Sequence, residues 1–267
     1  MVDPALPYVV LLRKPEQLDF PALAAVLARQ RGCPTLDAMH AARSCWGILE
    51  EDRDEAAAKG LAAALSAGGF DSLALPQSLV EELPAAAAVV KAEFGPGGVV
   101  FFTADGASHP AACSALLCAA IFKRSVDQII KVQKDIGFAD KALQVGLLMA
   151  TGLPIRTSRM RKEVDKTVPN PELWGALDII LKSPARRLRV LSERFDYSCL
   201  KAEKAYDTLS NFRALARRLA ALWPEAGRNR GLRFILEGKP QRDMGYESLA
   251  DLERESRWLL TLRGLGS

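Results

Sequence analysis

The sequence predicts an α+β protein: a small β-α-α-β-α-β domain over residues 1–84, then a β-rich domain with C-terminal helices over residues 85–267. Three observations predict it. The length of 267 residues suits two domains at roughly 100–200 residues each. Up to Pro76 short apolar runs alternate with helical spacing, whereas beyond Ala88 the pattern turns to period two around glycine turns. The charge is also uneven: residues 1–110 carry 8 Lys+Arg against 14 Asp+Glu and residues 111–267 carry 28 against 18, so the net +4 is the remainder of −6 and +10.

The elements follow in chain order. YVVLL at 8–12 is a buried-strand run. Phe20 to Gln30 predicts a helix with Leu23, Val26 and Leu27 on one face and Gly32 as its stop. Thr35 is placed to cap a second helix with Leu36, Met39 and Ala42 or Arg43 at helical spacing. Gly47 stops it, and GILEED forms a short strand or turn. Asp54 caps an alanine-rich helix that turns Leu61 and Leu65 inward and ends at Gly68-Gly69. FDSLALP then closes the sheet as a strand, and Pro76 to Ala88 connects the domains, although the four alanines after Pro84 also suit a helix.

In the second domain VVKAEF, the GPGG turn and VVFFTADG predict a β-hairpin. Ala111 to Phe122 is apolar throughout and fits a buried strand or a helix, and Val126 to Met149 is amphipathic. Residues 153–172, rich in charge, proline and hydroxyls, read as an exposed loop. ALDIIL, a KSP turn and RRLRVLS predict a second hairpin, with Leu188, Val190 and Ser192 on one side and Arg187, Arg189 and Leu191 on the other. Ser210 or Asn211 caps a helix with the stripe Phe212, Leu215, Leu219 and Leu222, ended by Pro224. RGLRFILEG is a short helix or strand, and Ser248 opens the last helix with Asp251 at the capping-box position.

The first segment, with PYVVLL, two short helices, a glycine before GILEED, and DEAAAKGLAAALSAGGFDSLALP, resembles the C-terminal domain of the bacterial ribosomal stalk protein. Its element order is also similar to that of the ClpS-type Clp protease adaptor family. Both are docking domains of β-α-α-β-α-β topology, so the resemblance implies a module that binds a protein partner. Neither family's binding residues carry over, because Arg13-Lys14-Pro15-Glu16 and Arg29-Gln30-Arg31-Gly32-Cys33-Pro34 replace their motifs. The glycine-rich hairpin, the late hairpin ending in RRLRV and the helix from Asn211 resemble a pleckstrin-homology-like layout, with residues 123–172 as an insertion.

Catalytic and metal motifs are missing from the sequence. Of the two histidines, His40 has only Asp37 at helical ligand spacing and His109 has no partner, and GPGG lacks the Lys-Ser/Thr of a phosphate loop. No serine lies on a Gly-x-Ser-x-Gly elbow. Cys45 and His40, five residues apart on one helix, are poorly aligned as a nucleophile pair. The aromatics of FDYS and Trp174, Trp223 and Trp258 read as core. Five cysteines, an odd number without CxxC spacing, suit a reducing, cytoplasmic compartment. No signal peptide or membrane-length apolar run is expected.

The expected function is therefore non-catalytic and free of cofactor or metal: an adaptor or scaffold protein whose first domain binds a protein partner. The alternative is an anionic ligand, a phospholipid headgroup or nucleic acid, held by the basic second domain. Its candidate residues are Arg156, Arg159, Arg161 and Lys162 in the loop, Arg186, Arg187 and Arg189 on the late hairpin, and Arg213, Arg217 and Arg218 on the helix after it. Arginine supplies the paired donors that phosphate and carboxylate accept.

Overall fold

The computed structural model describes residues 6–14, 19–134 and 162–265, and the side chains of these except 126–134 and 162–170. The chain is an α+β protein, with two sheets among the described residues. It divides into two compact units, Met1–Phe122 with Leu173–Ser267, and Lys123–Glu172. The second unit contains the later part of one long strand and the first part of the next, with Arg124 paired to Glu172 at 2.8 Å.

Within the first unit, the small sheet has the order β2-β1-β3. Its strands are β1 (Tyr8–Leu12), β2 (Ile48–Arg53) and β3 (Ser72–Pro76). β1 runs antiparallel to both neighbours, with Val10 opposite Ala74 and Glu50. The helices are α1 (Phe20–Arg31), α2 (Thr35–Ser44) and α3 (Glu55–Ala67). Leu23, Leu27, Leu61 and Leu65 are buried, Gly32 adopts the left-handed conformation, and Asp54 accepts from Ala57 N at 2.8 Å, all as the spacing predicts. Helix α2 differs from expectation. Thr35 is its first helical residue rather than its cap, Pro34 holds the cap position without a side-chain hydrogen bond, and Leu36 is exposed while Ala38 and Ala42 are buried. Two small alanines let α2 lie close against α1, which displaces the buried face from the larger leucine.

The large sheet has the order β10-β7-β8-β9-β4-β5-β6. The tetra-alanine segment is neither connector nor helix, because β4 (Ala86–Gly95) begins there and pairs in parallel with β9 (Ala185–Leu191). β5 (Gly98–Thr103) returns across the glycine turn, where a Cβ on Gly98 would stand 2.5 Å from the Ala111 carbonyl, and β6 (Ser108–Ala111) lies at the edge. The apolar run after Ala111 is a strand, β7 (Leu116–Lys134), buried throughout Leu116–Phe122. Residues 135–149 of the predicted amphipathic segment lie outside the described residues. The predicted loop is corrected in part, since β8 runs through Lys162–Lys182. Its polar composition is tolerated because the neighbouring strand β7 satisfies the backbone, a long-range pairing that local composition does not report. β8 turns into β9 with Leu177 opposite Val190 and Ile179 opposite Leu188.

Helix α4 (Thr208–Leu222) begins earlier than expected, with Asp207 accepting from Ser210 N at 2.8 Å, so neither Ser210 nor Asn211 is the cap. Phe212, Leu215 and Leu219 are buried and Leu222 is exposed. Phe212 covers Gly175, where any Cβ would lie 2.6 Å from its ring. The two-residue strand β10 (Gly227–Arg228) leads into α5 (Arg230–Leu236), which resolves RGLRFIL as a helix. The last helix is α6 (Leu249–Leu265). Asp251 accepts from Ser248 N at 2.9 Å, the reciprocal half of a capping box.

Helix α6 binds both sheets. On the small sheet, the Trp258 indole donates to Leu12 O at 2.6 Å, Arg254 donates to Cys45 O and Ile48 O, and Arg257 pairs with Glu51 at 2.7 Å. On the large sheet, Glu253 accepts from Arg187 and Arg189, which flank the buried Asp178 at 2.7–2.9 Å. Trp258 lies so close to Gly47 that a Cβ there would stand 2.0 Å from the indole. Trp258→Ala is expected to lower unfolding free energy by about 3–5 kcal/mol, read from urea melts; a change below about 1 kcal/mol would remove α6 as the joint.

Burial raises the Asp178 carboxyl to about 6 against the pull of Arg189. A carboxyl whose folded pKa exceeds its unfolded value holds its proton more tightly when folded. Its stabilising contribution is full below about pH 4 and is lost as pH rises through about 6, amounting to about 3 kcal/mol at most. Asp178→Asn is therefore expected to cost more stability at pH 4 than at pH 7.5; equal costs in urea melts at the two pH values would contradict this assignment.

Candidate anion-binding cleft

A cleft of ≈ 660 Å³ opens where the small module meets the C-terminal helices. Three segments shape it: the start of α1 at Phe20, the end of α2 with the Cys45-Trp46-Gly47 turn, and α5 with the residues just beyond it. Trp258 and Glu255 of α6 line it as well.

The turn owes its shape to packing. Trp46 has φ 48 and Gly47 has φ 87, both left-handed. Gly47 is needed for the close approach of Trp258, and the Trp46 ring stacks on Tyr246 at 4.3 Å with planes 6° apart. Left-handed backbone at a bulky residue costs about 1–3 kcal/mol, which the stack and the buried surface of Trp46 offset. The buried Trp46 Nε1 has no hydrogen-bond partner among the described residues.

A buried polar network fixes α5. Asn229, fully buried, accepts from Leu232 N as the helix cap and from Ala119 N of β7, both at 2.9 Å. Its amide nitrogen donates to Ala119 O and to Glu255, each at 3.0 Å. Tyr246 donates to the same Glu255 carboxylate and accepts from Gly231 N. Gly231 is obligatory here, because a Cβ would come within 1.9 Å of Ala119 O. Burial pushes the Glu255 carboxyl and the Tyr246 hydroxyl up, while hydrogen bonds from Tyr246, Arg230 N and Asn229 pull Glu255 back. Burial likewise raises the Cys45 thiol, leaving it a poor nucleophile.

With α5 fixed, its first turn presents Arg230, Arg233 and Phe234 at spacing i, i+3, i+4, which places them on one face. Arg43 faces them from the end of α2. Among the described residues neither Arg43 nor Arg233 has a carboxylate at ion-pair distance, and Arg230 donates to Asp243 O while lying 5.2 Å from the Phe234 ring centre. Lys239, 4.6 Å from the same ring, pairs with Glu237 at 2.6 Å. Cationic groups thus outnumber the acceptors that answer them.

The arginines singled out in the sequence are distributed differently. Arg156, Arg159 and Arg161 lie outside the described residues, as does the side chain of Lys162. Arg187 and Arg189 come together, but on Asp178 and Glu253. Arg186 donates to His109 Nδ1 at 2.5 Å. Arg217 donates to Ile235 O, and Arg218 donates to Cys199 O and lies 4.1 Å from the Phe94 ring centre. Arg213 is half-buried on α4. His40 is exposed on α2. The cleft residues Arg43, Arg230, Arg233 and Lys239 are not among the sequence candidates; for Arg230 and Arg233 the RGLRF spacing is the available signal, and it reads only once the segment is taken as helix.

A second cleft, of ≈ 820 Å³, lies at the end of the large sheet between the Gly95–Gly98 turn, the Pro110–Ser114 segment and Leu181–Ser183, and its lining carries one acid and one base, Glu93 and Lys182. Among the described residues no group of three or more His, Cys, Asp and Glu could hold a metal ion, and no helix is long and apolar enough to cross a membrane. No family model, curated protein or solved structure matches this chain.

Proposed function

We propose that the protein is a binding protein for a small anionic ligand, seated in the cleft between α2 and α5. The carrying observation is that Arg43 and Arg233 line one cleft without a carboxylate at ion-pair distance among the described residues, with Arg230 beside them. An arginine that spends no donors on the protein keeps them for a ligand, and charge-assisted bonds to phosphate or carboxylate are the stronger class. The volume of ≈ 660 Å³ falls in the small-molecule range of roughly 300–1,000 Å³. That favours a small ligand over a membrane surface or a nucleic-acid chain. The element order of Tyr8–Pro76 supports the stalk- or adaptor-like resemblance of the first segment. One flank of that segment is occupied by α6, however, which narrows the surface left for a protein partner.

Inorganic pyrophosphate is the first probe. It is expected to raise the melting temperature at ~50 mM salt, with the gain shrinking as salt rises. Arg43→Ala with Arg233→Ala is expected to weaken binding at least about tenfold in calorimetric titration while the melting temperature without pyrophosphate stays near wild type, since neither side chain holds an ion pair among the described residues. Unchanged pyrophosphate affinity in that double variant would refute the assignment.

A further inference from the structure

Resting on the anion-binding reading of the same cleft, we propose that its ligand is a planar aromatic group carrying the negative charge, with ring and charge recognised by separate parts of the lining. The lining is divided in that way. The cationic part is Arg43, Arg230 and Arg233. Beside the Lys239–Glu237 pair and the buried Glu255, the lining holds four aromatic residues: Phe20 and Phe234 are half-buried, and Trp46 and Trp258 are buried. A site for a bare inorganic anion or an aliphatic acid needs only donors, and the part-exposed rings of Phe20 and Phe234 would add apolar surface that such a ligand cannot use. A flat ring gains offset stacking on aromatic faces and on guanidinium planes alike, worth about 0.5–1.5 kcal/mol per aromatic pair.

An independent observation points the same way. Trp46 is 8% exposed, lines the cleft and has an Nε1 donor without an acceptor among the described residues. A buried donor left unpaired is disfavoured, and buried Trp N–H groups ordinarily find partners. The other buried polar side chains of the lining are satisfied: Glu255 is bonded by Asn229, Arg230 N and Tyr246, and Trp258 Nε1 by Leu12 O. Among the described residues, the buried donor of the lining that lacks an acceptor thus lies on the aromatic side, and it is the position we assign to a heteroatom of the ligand's ring. A heteroaromatic ring joined to an anionic group is the chemical class that answers all three features, and a nucleoside monophosphate is a soluble member of it.

Three matched probes test this: adenosine 5′-monophosphate, ribose 5-phosphate and adenosine, titrated calorimetrically alongside tryptophan emission. The monophosphate is expected to bind at least about tenfold more tightly than ribose 5-phosphate and to quench tryptophan emission. Trp46→Phe, which keeps a ring stacked on Tyr246 but removes the Nε1 donor, is expected to reduce that preference while leaving ribose 5-phosphate affinity unchanged. Equal binding of the two phosphates would overturn the aromatic assignment and leave the anion site standing. Binding of adenosine as tight as its monophosphate, or failure of both phosphates and pyrophosphate to bind, would overturn the anion site itself and this inference with it.

Discussion

The Trp258 indole against Gly47 is the contact on which the rest of the first unit depends. It combines a backbone position that admits no side chain, a hydrogen bond to Leu12 O at 2.6 Å, and the burial of a large ring. Through it the C-terminal helix closes over a strand, β1, whose Val9, Val10 and Leu11 are all fully buried. Alternate residues of a strand point to opposite faces, so complete burial of consecutive residues requires cover on both sides. Helix α3 of the first segment packs on β1, and α6 adds cover through Trp258. The small β-α-α-β-α-β module completes its core with residues contributed about two hundred positions later.

The same helix divides the arginines into two populations. Arg187 and Arg189 hold Asp178 and Glu253, and Arg254 and Arg257 hold Glu51. These charges join elements. Partly buried pairs of this kind are costly to break because the surviving charge is stranded, and they fix which element meets which more than they add stability. The acidic first half and the basic second half of the sequence find part of their physical meaning here, as complementary surfaces folded against each other. What distinguishes Arg43 and Arg233 is that this arrangement leaves them out.

Local features were legible in the sequence and long-range ones were not. Asp54, Gly32 and the Asp251 capping position could be read because each acts within four residues. The strand character of residues 162–172 could not, because charges and prolines argue for a loop until a partner strand fixes the backbone. The tetra-alanine segment misled for the same reason: its parallel partner β9 lies about a hundred residues away. The arginine cluster was visible as a count but not as a geometry. Period-two alternation puts Arg187 and Arg189 on one face of their strand, but Asp178 and Glu253, which claim that face, are 9 to 66 residues away in sequence.

The cleft inherits its character from these constraints. Asn229 ties β7, α5, Tyr246 and Glu255 into one fully buried network. α5 therefore cannot rotate to hide its charged face without stranding several polar groups in the interior, each worth about 1–3 kcal/mol when unpaired. Trp46 is held from the other side by Tyr246 and by the Gly47–Trp258 contact. Both walls are thus set by packing elsewhere in the fold, and the residues between them carry the strain and the unanswered donors. An arrangement in which the Asn229 network is saturated while, among the described residues, the lining retains a surplus of cationic donors and a buried indole without an acceptor is poorly explained by stability alone. Recognition of a ligand gives those groups a role.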